Sequence, residues 1–252
     1  MGVVSTEVHE RVLVVRIERE EKRNAIDQAV ADGVGAALDR LDDDSDLWVG
    51  IITGTSTVFS AGSDLASSRD GSARTARGGE YGVIRREREK PLIAAVEGPA
   101  LGGGFEIVLS CDLVVAASTA SFGLPEVKRG LVPTCGGLFR TPRALPLNVA
   151  KEMLLTGDRL SPERAYALGL VNVVTEPGEA VAGALALAAR ICAVGPVGAR
   201  ASLRALERTV AERDELGWEA TVGATDAIRA SDDIREGMAA FFEKREPRWT
   251  GR

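Results

Sequence analysis

The segment from Glu97 to Glu126 combines a glycine triplet with two carboxylates that could carry out acid/base chemistry. Gly102–Gly104 leads directly into Glu106, and Glu126 follows further along the chain. Glycine lets backbone amides approach a ligand closely, and the free N–H groups at the start of a helix can stabilise a negative charge. This pattern indicates proton transfer on a carbonyl compound, with backbone stabilisation of an oxyanion.

Each of these components also has an ordinary structural explanation. The glycines could form a tight turn between a strand and a helix, Glu106 could stabilise its helix through the dipole, and Glu126 could be a surface acid. If both acids face one dry pocket, repulsion and desolvation raise at least one pKa and separate the acid from the base. A second loop, FSAGSDL at Phe59–Leu65, could supply another backbone donor.

The spacing of apolar residues predicts alternating strands and helices, followed by a stretch that is almost entirely helical. The predicted strands are Val12–Ile17, Trp48–Thr53, Pro91–Val96 and Leu113–Ala117. The predicted helices are Gln28–Leu41, Gly103–Ser110, Val181–Cys192, Pro196–Arg213 and Ile234–Arg245. The fold class is therefore α/β, and the glycine triplet opens a helix.

Two polar segments are predicted to be loops. Acids at the C-terminal end of a helix oppose its dipole, so the acidic run at Asp42–Asp46 is predicted to be a solvated loop. Residues 66–79 are rich in Ser, Gly and Arg without an apolar period, which predicts a mobile loop. Because this second segment follows FSAGSDL closely, it could act as a lid.

The composition disfavours several classes of function. The 252 residues carry a net charge of −6, which argues against broad binding to nucleic acid or to an anionic membrane. Cys111, Cys135 and Cys192 form no CxxC pair, and the single histidine, His9, gives little support to a histidine triad or a metal site. Without a leader-like N-terminus or a run of about 18 apolar residues, the chain is expected to be cytoplasmic.

Five ordered segments resemble the enoyl-CoA hydratase/isomerase family, also called the crotonase superfamily. They are KRNA from Lys22, FSAGSDL, KPLIAAVEGPALGGGFE, SFGLPEVKRGLVPTCGG and FFEKREPRWTGR. The resemblance spans essentially the whole chain. It implies a ClpP-like spiral of β-β-α units, with residues 1–195 forming the core and acyl-CoA site. Residues 196–252 would form a C-terminal helical region that organises a homotrimer or a hexamer.

The resemblance also implies a substrate and a mechanism. An acyl-CoA thioester would place its carbonyl oxygen between the backbone N–H groups of Ser63 and Gly103. Position 63 is usually alanine in this family, and the serine hydroxyl could alter the order of nearby water. The pair of glutamates marks hydratases: Glu106 would mainly activate a water that adds to C3, and Glu126 would mainly donate a proton to C2. The two acids could titrate as a unit, and no cofactor beyond the CoA of the substrate is expected.

By the same resemblance, the CoA would be held by the backbone of four residues, namely Ala25, Ala61, Asp64 and Leu65. Lys22 or Arg23 would lie near its phosphates, with a solvated turn as the equal alternative for both. Ala66 stands where many relatives carry a basic residue. Phosphate contacts could therefore be weaker there, or come from Arg69, Arg74 or the Lys244 of a neighbouring subunit.

Three functions stay open at this point. The favoured one is hydration of a 2-enoyl-CoA. The nearest resemblance is to the carnitinyl-CoA dehydratase branch, but an aromatic content of 4% gives no evidence for a site that binds a trimethylammonium group. A 3,2-enoyl-CoA isomerase normally needs only one of the two acids. A non-catalytic acyl-CoA-binding protein could retain the same fold.

Overall fold

A six-stranded sheet forms the centre of the fold. The computed structural model describes residues 2–67, 72–211 and 214–250. The strands in those residues are β1 (Val4–His9), β2 (Val12–Ile17), β3 (Val49–Thr53), β4 (Arg74–Thr75), β5 (Gly79–Glu80), β6 (Leu92–Val96), β7 (Pro99–Leu101), β8 (Leu113–Ala117), β9 (Ser121–Gly123) and β10 (Val173–Thr175). The sheet order is β1-β2-β3-β6-β8-β10, with β1 antiparallel to β2 and the other neighbours parallel. The four predicted strands are confirmed as members of this sheet.

Helices cover both faces of the sheet. They are α1 (Gln28–Asp43), α2 (Gly103–Ser110), α3 (Gly137–Ala144), α4 (Leu147–Thr156), α5 (Pro162–Ala167), α6 (Ala180–Cys192), α7 (Pro196–Ala211), α8 (Asp214–Ala230) and α9 (Asp233–Glu243). Two short 3₁₀ helices lie at Glu20–Lys22 and Pro125–Arg129. The predicted helices are present with small shifts at their ends, and the predicted end of α7 at Arg213 lies outside the described residues.

The central strands β3, β6 and β8 are almost entirely aliphatic, as is typical of parallel strands that are buried on both faces. On one face they share a core with Val30, Val34 and Leu38 of α1. On the other face, Ala184 and Ala188 of α6 pack directly on the sheet. Short alanine side chains let α6 approach the strands closely.

A second, inner ladder of strand pairs runs beside the main sheet. In it, β7 pairs in parallel with β9, and single bridges join Ile26 to Ser63 and Ser60 to Ala100. The chain thus passes from a strand of the main sheet to a strand of the ladder and then to a helix, as in β6, β7 and α2. This is the spiral of β-β-α units that the resemblance implied. The ladder brings the loop at Ser63 next to the start of α2.

The acidic run at Asp42–Asp46 is a solvated loop only in part: Asp44–Asp46 form a turn in which Asp46 is exposed, as predicted, whereas Asp42 and Asp43 belong to α1. The helix continues through Asp42 and Asp43 because basic side chains offset their charge: Arg86 Nη1 lies 2.7 Å from Asp42 Oδ2, and Arg77 Nη1 lies 2.9 Å from Asp43 Oδ1. Lys90 Nζ then donates to the carbonyl oxygens of Leu41 and Asp44, each at 2.6 Å. Cations at the end of a helix compensate its dipole, and the sequence alone did not show where they would lie.

Much of the segment 66–79 also differs from its prediction. Residues 68–71, and with them Arg69 and the central part of the predicted lid, lie outside the described residues. From Arg74 onward the chain forms the hairpin of β4 and β5. This hairpin packs on α1, because a Cβ on Gly35 would lie 2.9 Å from Thr75 Cγ2. The second half of the segment is therefore a packed hairpin and not a loop.

The C-terminal helices α8 and α9 pack on α3 and on the 3₁₀ helix at Pro125–Arg129, respectively. Gly217 and Trp218 of α8 contact Phe139 of α3, and the two rings meet edge to face with centroids 5.0 Å apart. Gly237 of α9 lies against the backbone of the 3₁₀ helix at Pro125–Arg129. The division at residue 195 stays a prediction. Among the described residues no single helix is long and apolar enough to cross a membrane, and only the bent pair Ala180–Cys192 with Pro196–Val210 reaches that length and composition.

Candidate active site

Two free backbone amides lie on adjoining segments of the inner ladder. The bridge between Ile26 and Ser63 uses the Gly62 carbonyl oxygen and the Asp64 N–H, so the Ser63 N–H is left over. Gly103 begins α2, where an N–H has no partner within the helix. Within the described residues neither amide donates a hydrogen bond. Both predicted oxyanion donors are therefore free, within the described residues, to donate a hydrogen bond to a ligand.

Glycine at position 62 keeps the space between these amides open. Its φ is +90°, in the region that favours glycine, and a Cβ built there would lie 2.7 Å from the Gly103 nitrogen. A side chain at this position would cover one of the donors. The glycine of FSAGSDL is thus explained by the close approach of the two segments.

Glu106 is buried on the first turn of α2 and is 2% exposed. Its Oε1 accepts the Cys135 N–H at 2.7 Å and the Gly137 N–H at 2.8 Å. Gly137 is the first residue of α3, so its N–H also belongs to the positive end of that helix. Both bonds go to the same oxygen, and within the described residues Oε2 accepts none.

Glu126 lies on the first turn of the 3₁₀ helix Pro125–Arg129, which Gly130 caps. Its Oε2 is buried and has no hydrogen-bond partner in the described part of the chain. Its Oε1 lies 3.1 Å from the point where a Cβ on Gly102 would stand. The second acid therefore lies beside the glycine turn, but without the backbone donors that hold the first.

The two carboxyl groups have opposite hydrogen-bonding environments inside one buried site. Burial raises the pKa of Glu106 to about 7, while the N–H groups of Gly137 and Cys135 and the charge of Arg140 oppose the rise. Burial, followed by repulsion from Glu106, raises the pKa of Glu126 to about 8. The shared proton is therefore held preferentially by Glu126 near neutral pH, and Glu106 is the stronger candidate for a base.

Arg140 of α3 is a partly buried cation near this pair that sequence analysis missed. Its Nη2 donates to the Ile84 carbonyl oxygen at 2.8 Å, and its Nη1 has no partner among the described residues. Burial lowers the pKa of Arg140, whereas the charges of Asp214 and Glu106 raise it. Its position in the stretch LVPTCGGLFR did not indicate that it lies near the glutamates, because the orientation of a helical side chain toward a distant segment cannot be read from one sequence.

The residues predicted to hold CoA are brought together on one side of the site. The Ala61 N–H donates to the Arg23 carbonyl oxygen at 3.0 Å, which joins the KRNA turn to FSAGSDL. Arg19, which sequence analysis missed, donates to the Ala25 carbonyl oxygen at 3.0 Å and to Asp64 Oδ2 at 2.8 Å. Asp64 is therefore engaged within the chain through its side chain, and its backbone is engaged as well: its N–H donates to the Ile26 carbonyl oxygen at 3.0 Å, and its carbonyl oxygen accepts the Ser67 N–H at 3.1 Å. The contact of Asp64 with CoA stays a prediction.

The predicted basic contacts are less well defined. Lys22 and Arg23 are exposed on the turn, and Leu65 is half-buried beside them. Arg74 lies 3.3 Å from Glu80, so its charge is already paired. Lys244 ends α9 and lines a cavity of about 290 Å³ together with Lys128 and Arg245.

Asn24 explains why KRNA has a fixed conformation. It is fully buried with φ of +52°, and its Nδ2 donates to the carbonyl oxygens of Val58 and Phe59 at 2.9 and 3.2 Å. Asparagine tolerates this left-handed backbone better than most residues. The motif thus connects the turn to the segment at Val58 and Phe59 that precedes the Ser63 loop.

The family model described as enoyl-CoA hydratase/isomerase matches residues 7–252. A carnitinyl-CoA dehydratase of Salmonella heidelberg is 39% identical over 251 residues, which cover 96% of this chain and 95% of the relative. The crystal structure of a carnitinyl-CoA hydratase from Mycobacterium avium has a TM-score of 0.93 and 40% identity, with both chains covered completely. That of an enoyl-CoA hydratase from Mycobacterium tuberculosis has a TM-score of 0.81 and 43% identity, again with full coverage of both chains.

The raised pKa of Glu126 predicts a pH-dependent effect of Glu126→Gln on stability. The folded pKa of about 8 lies above the ordinary 4.5, so folding binds a proton, and wild-type stability falls as pH rises through that interval. Glutamine cannot ionise and escapes this loss. We expect the melting temperature of the variant, relative to wild type, to rise by several degrees between about pH 5 and about pH 9.

Glu219→Gln on α8 is the control, because Glu219 is exposed. Differential scanning fluorimetry of the three proteins across this range would measure the effect. A difference between Glu126→Gln and wild type that stays constant with pH would contradict the assignment of Glu126 as a buried, protonated acid.

Proposed function

The chain belongs to the enoyl-CoA hydratase/isomerase family, and on that premise we propose that it is an enoyl-CoA hydratase. Such an enzyme is a hydro-lyase, which reversibly adds water across the C2=C3 double bond of a 2-enoyl-CoA thioester. The observation that carries the proposal is the contrast between two glutamates beside two free amides: Glu106 is buried, and Glu126 has a buried Oε2. Glu106 accepts two N–H groups, and Glu126 Oε2 accepts none.

The free N–H groups of Ser63 and Gly103 would bind the thioester oxygen. Addition of water to C3 places negative charge on that oxygen, as an enolate. Amides fixed in place strengthen their interaction as the charge develops, and one such donor is typically worth about 3 to 4 kcal/mol of transition-state stabilisation. No cofactor beyond the CoA of the substrate is required by this mechanism.

The glutamates would divide the proton transfers between them. Glu106 takes a proton from water through its unpaired Oε2 while the water oxygen bonds to C3. Glu126 gives its proton to C2, which restores the thioester and leaves a 3-hydroxyacyl-CoA. Glu126 is then ionised and Glu106 protonated, and one net proton transfer between them resets the pair. The dehydration direction uses the same groups in reverse.

The two other functions are less well supported. An isomerase moves one proton between C2 and C4 and does not need a second acid, whereas here Glu106 and the Oε2 of Glu126 are both buried, and burial raises the pKa of both acids. A non-catalytic acyl-CoA-binding protein would gain nothing from burying two carboxyl groups at a cost in stability. Neither observation requires a particular acyl chain.

For the acyl group, we place a simple 2-enoyl-CoA first and crotonobetainyl-CoA second. The second candidate is supported by the names of the relatives, which are carnitinyl-CoA dehydratases and hydratases. The reacting part of the site described above has no exposed aromatic face or spare carboxylate for a trimethylammonium group, because both of its acids are assigned to proton transfer. The CoA itself would be held by the backbone of Ala25, Ala61, Asp64 and Leu65, with Lys22 or Arg23 near its phosphates.

We also propose a cytoplasmic homotrimer, or a hexamer of two trimers, assembled through the C-terminal helices. Large apolar side chains lie exposed on these helices, including Val197, Leu216 and Phe242. Large apolar side chains exposed on a surface typically mark a contact with another chain.

Glu106→Gln and Glu126→Gln test the two-acid mechanism. Each variant should lower kcat for hydration of crotonyl-CoA by at least about 10²-fold, because each removes one general acid or base. Binding of acyl-CoA should persist. Loss of the conjugated thioester absorbance measures hydration, and calorimetric titration with butyryl-CoA measures binding.

Glu97→Gln is the matched control. Glu97 is also buried, but it accepts the N–H groups of Gly178 and Ala180 at the start of α6, outside the site. It should retain activity. If Glu106→Gln or Glu126→Gln binds acyl-CoA and hydrates it at nearly the wild-type rate, the mechanism is wrong. Conversion of a 3-enoyl-CoA to a 2-enoyl-CoA without hydration would instead support the isomerase.

The acyl group can be identified by comparing kcat/KM for crotonyl-CoA and crotonobetainyl-CoA under the same conditions. We expect crotonyl-CoA to be the better substrate, because the described reaction centre offers no group reserved for a cation. A higher kcat/KM for crotonobetainyl-CoA would reverse this order and place the chain with the carnitinyl-CoA enzymes.

Sedimentation equilibrium tests the assembly. Three or six subunits of 26.6 kDa are expected, and Leu216→Glu on α8 should weaken the assembly because Leu216 is exposed on the proposed interface. Leu155→Glu on α4 is the control, since Leu155 is equally exposed outside the C-terminal helices. A monomeric wild-type protein would contradict the proposal.

A further inference from the structure

Tyr81 is a buried aromatic residue that the proposed mechanism does not use. It follows strand β5, is 2% exposed, and has φ of +58°. A bulky residue in this left-handed conformation is strained by about 1 to 3 kcal/mol, and such strain persists only where surrounding contacts impose it. The contacts of Tyr81 therefore hold it in this conformation.

The backbone around Tyr81 is fixed by close packing on α1. A Cβ on Gly82 would lie 2.5 Å from the Ala31 carbonyl oxygen and 2.7 Å from the Gly35 nitrogen, so the two backbones touch. Arg86, fully buried, then donates to the Gly35 carbonyl oxygen at 3.1 Å and pairs with acids of α1. The segment that carries Tyr81 is therefore held rigidly against the helix.

The Tyr81 hydroxyl lies between the oxyanion donors and the loop that holds Glu106. Its oxygen is 2.6 Å from Ser63 Oγ, and it stands 2.5 Å from the point where a Cβ on Gly103 would lie. Burial raises the pKa of this hydroxyl, and the Cys135 thiol, a further neighbour, raises that pKa as well. The Cys135 N–H in turn donates to Glu106 at 2.7 Å.

We propose that Tyr81 is a positioning residue for the hydration reaction, whose hydroxyl fixes Ser63, Gly103 and Cys135 relative to one another. The inference rests on the proposed function. One phenol thereby sets the spacing between the two amides that bind the thioester oxygen and the amide that orients the base. A displacement of 1 Å at such groups can cost about 10²-fold in rate.

The groups that face Glu106 come from each element packed on it. Glu126 comes from the 3₁₀ helix, Arg140 from α3, Glu80 and Tyr81 from the hairpin segment, and Cys135 from the loop before α3. Burial is the largest cause of the raised pKa of Glu106, and the N–H bond from Cys135 lowers that pKa. Loosening Cys135 therefore shifts the pKa of Glu106 further upward.

Tyr81→Phe tests the proposal, because it removes the hydroxyl and leaves the ring. We expect kcat for crotonyl-CoA to fall about tenfold, with KM changed by less than about threefold. The acidic limb of the pH–rate profile, which reports ionisation of Glu106, should move to higher pH. Tyr166→Phe is the matched control and should change nothing, since Tyr166, the second tyrosine of the chain, is exposed on α5.

Ser63→Ala gives a second arm, because it removes the partner hydroxyl and keeps the backbone N–H. Its effect should be smaller than that of Tyr81→Phe, and the double variant should be no slower than Tyr81→Phe alone. Urea unfolding of each variant shows whether a lower rate comes from loss of folded protein or from displacement of Ser63, Gly103 and Cys135. A folded Tyr81→Phe variant with kcat within about twofold of wild type and an unmoved acidic limb would overturn the proposal, as would a lower kcat with an unmoved limb.

Absorbance of the enolate of bound acetoacetyl-CoA provides a readout that does not need turnover. The fraction of enolate reports how well the two amides stabilise an oxyanion. Tyr81→Phe should lower it, and an unchanged fraction would overturn the proposal. If wild type forms the enolate but hydrates no enoyl-CoA, the proposed function fails while the role of Tyr81 is still decided by this comparison. If wild type forms no enolate either, both are overturned.

Discussion

Two carboxyl groups buried in one site cannot both be ionised at low cost. The arrangement of the groups around Glu106 and Glu126 depends on that constraint. Burial raises the pKa of both groups, and repulsion from Glu106 raises that of Glu126 further. Hydrogen bonds then favour the proton on one of them: Glu106 receives two backbone N–H groups and lies near the partly buried Arg140, whereas Glu126 Oε2 receives no hydrogen bond in the described chain. In the proposed mechanism this asymmetry makes Glu106 the base and Glu126 the acid at neutral pH. The free amides beside them would supply the third requirement, a place for negative charge on the substrate.

The C-terminal helices take part in this asymmetry as well as forming the proposed subunit interface. Helix α8 packs Trp218 on Phe139 of α3, the helix whose first N–H donates to Glu106. Helix α9 lies on the 3₁₀ helix that carries Glu126, and Arg129 of that 3₁₀ helix stacks on Phe241, with its guanidinium carbon 4.8 Å from the ring centroid. Each acid is therefore supported by a different helix of the terminal region. Assembly and catalysis would share the same packing.

Much of the fold could be predicted from the sequence because its signals are local. The aliphatic strands, the helix opened by Gly103 and the α/β order follow from periodicity and glycine placement, and the ordered motifs pointed to the β-β-α spiral. The extension of α1 could not be predicted, because it depends on Arg77 and Arg86 arriving from distant parts of the chain. The same applies at the site. Glu106, Glu126, Ser63 and Gly103 lie in recognisable motifs, but Arg140, Arg19 and Tyr81 act through contacts that only the folded chain creates.

The central claim is that the pair holds one proton at neutral pH and that Glu126 carries it. Infrared difference spectroscopy detects a protonated buried carboxyl through its C=O stretching band. The account predicts such a band in wild type at neutral pH, its retention in Glu106→Gln, and in Glu126→Gln a weaker band that titrates at lower pH than in wild type, because burial holds the pKa of Glu106 at about 7 and that of Glu126 is about 8. Absence of the band from wild type, or its loss in Glu106→Gln, would contradict the account.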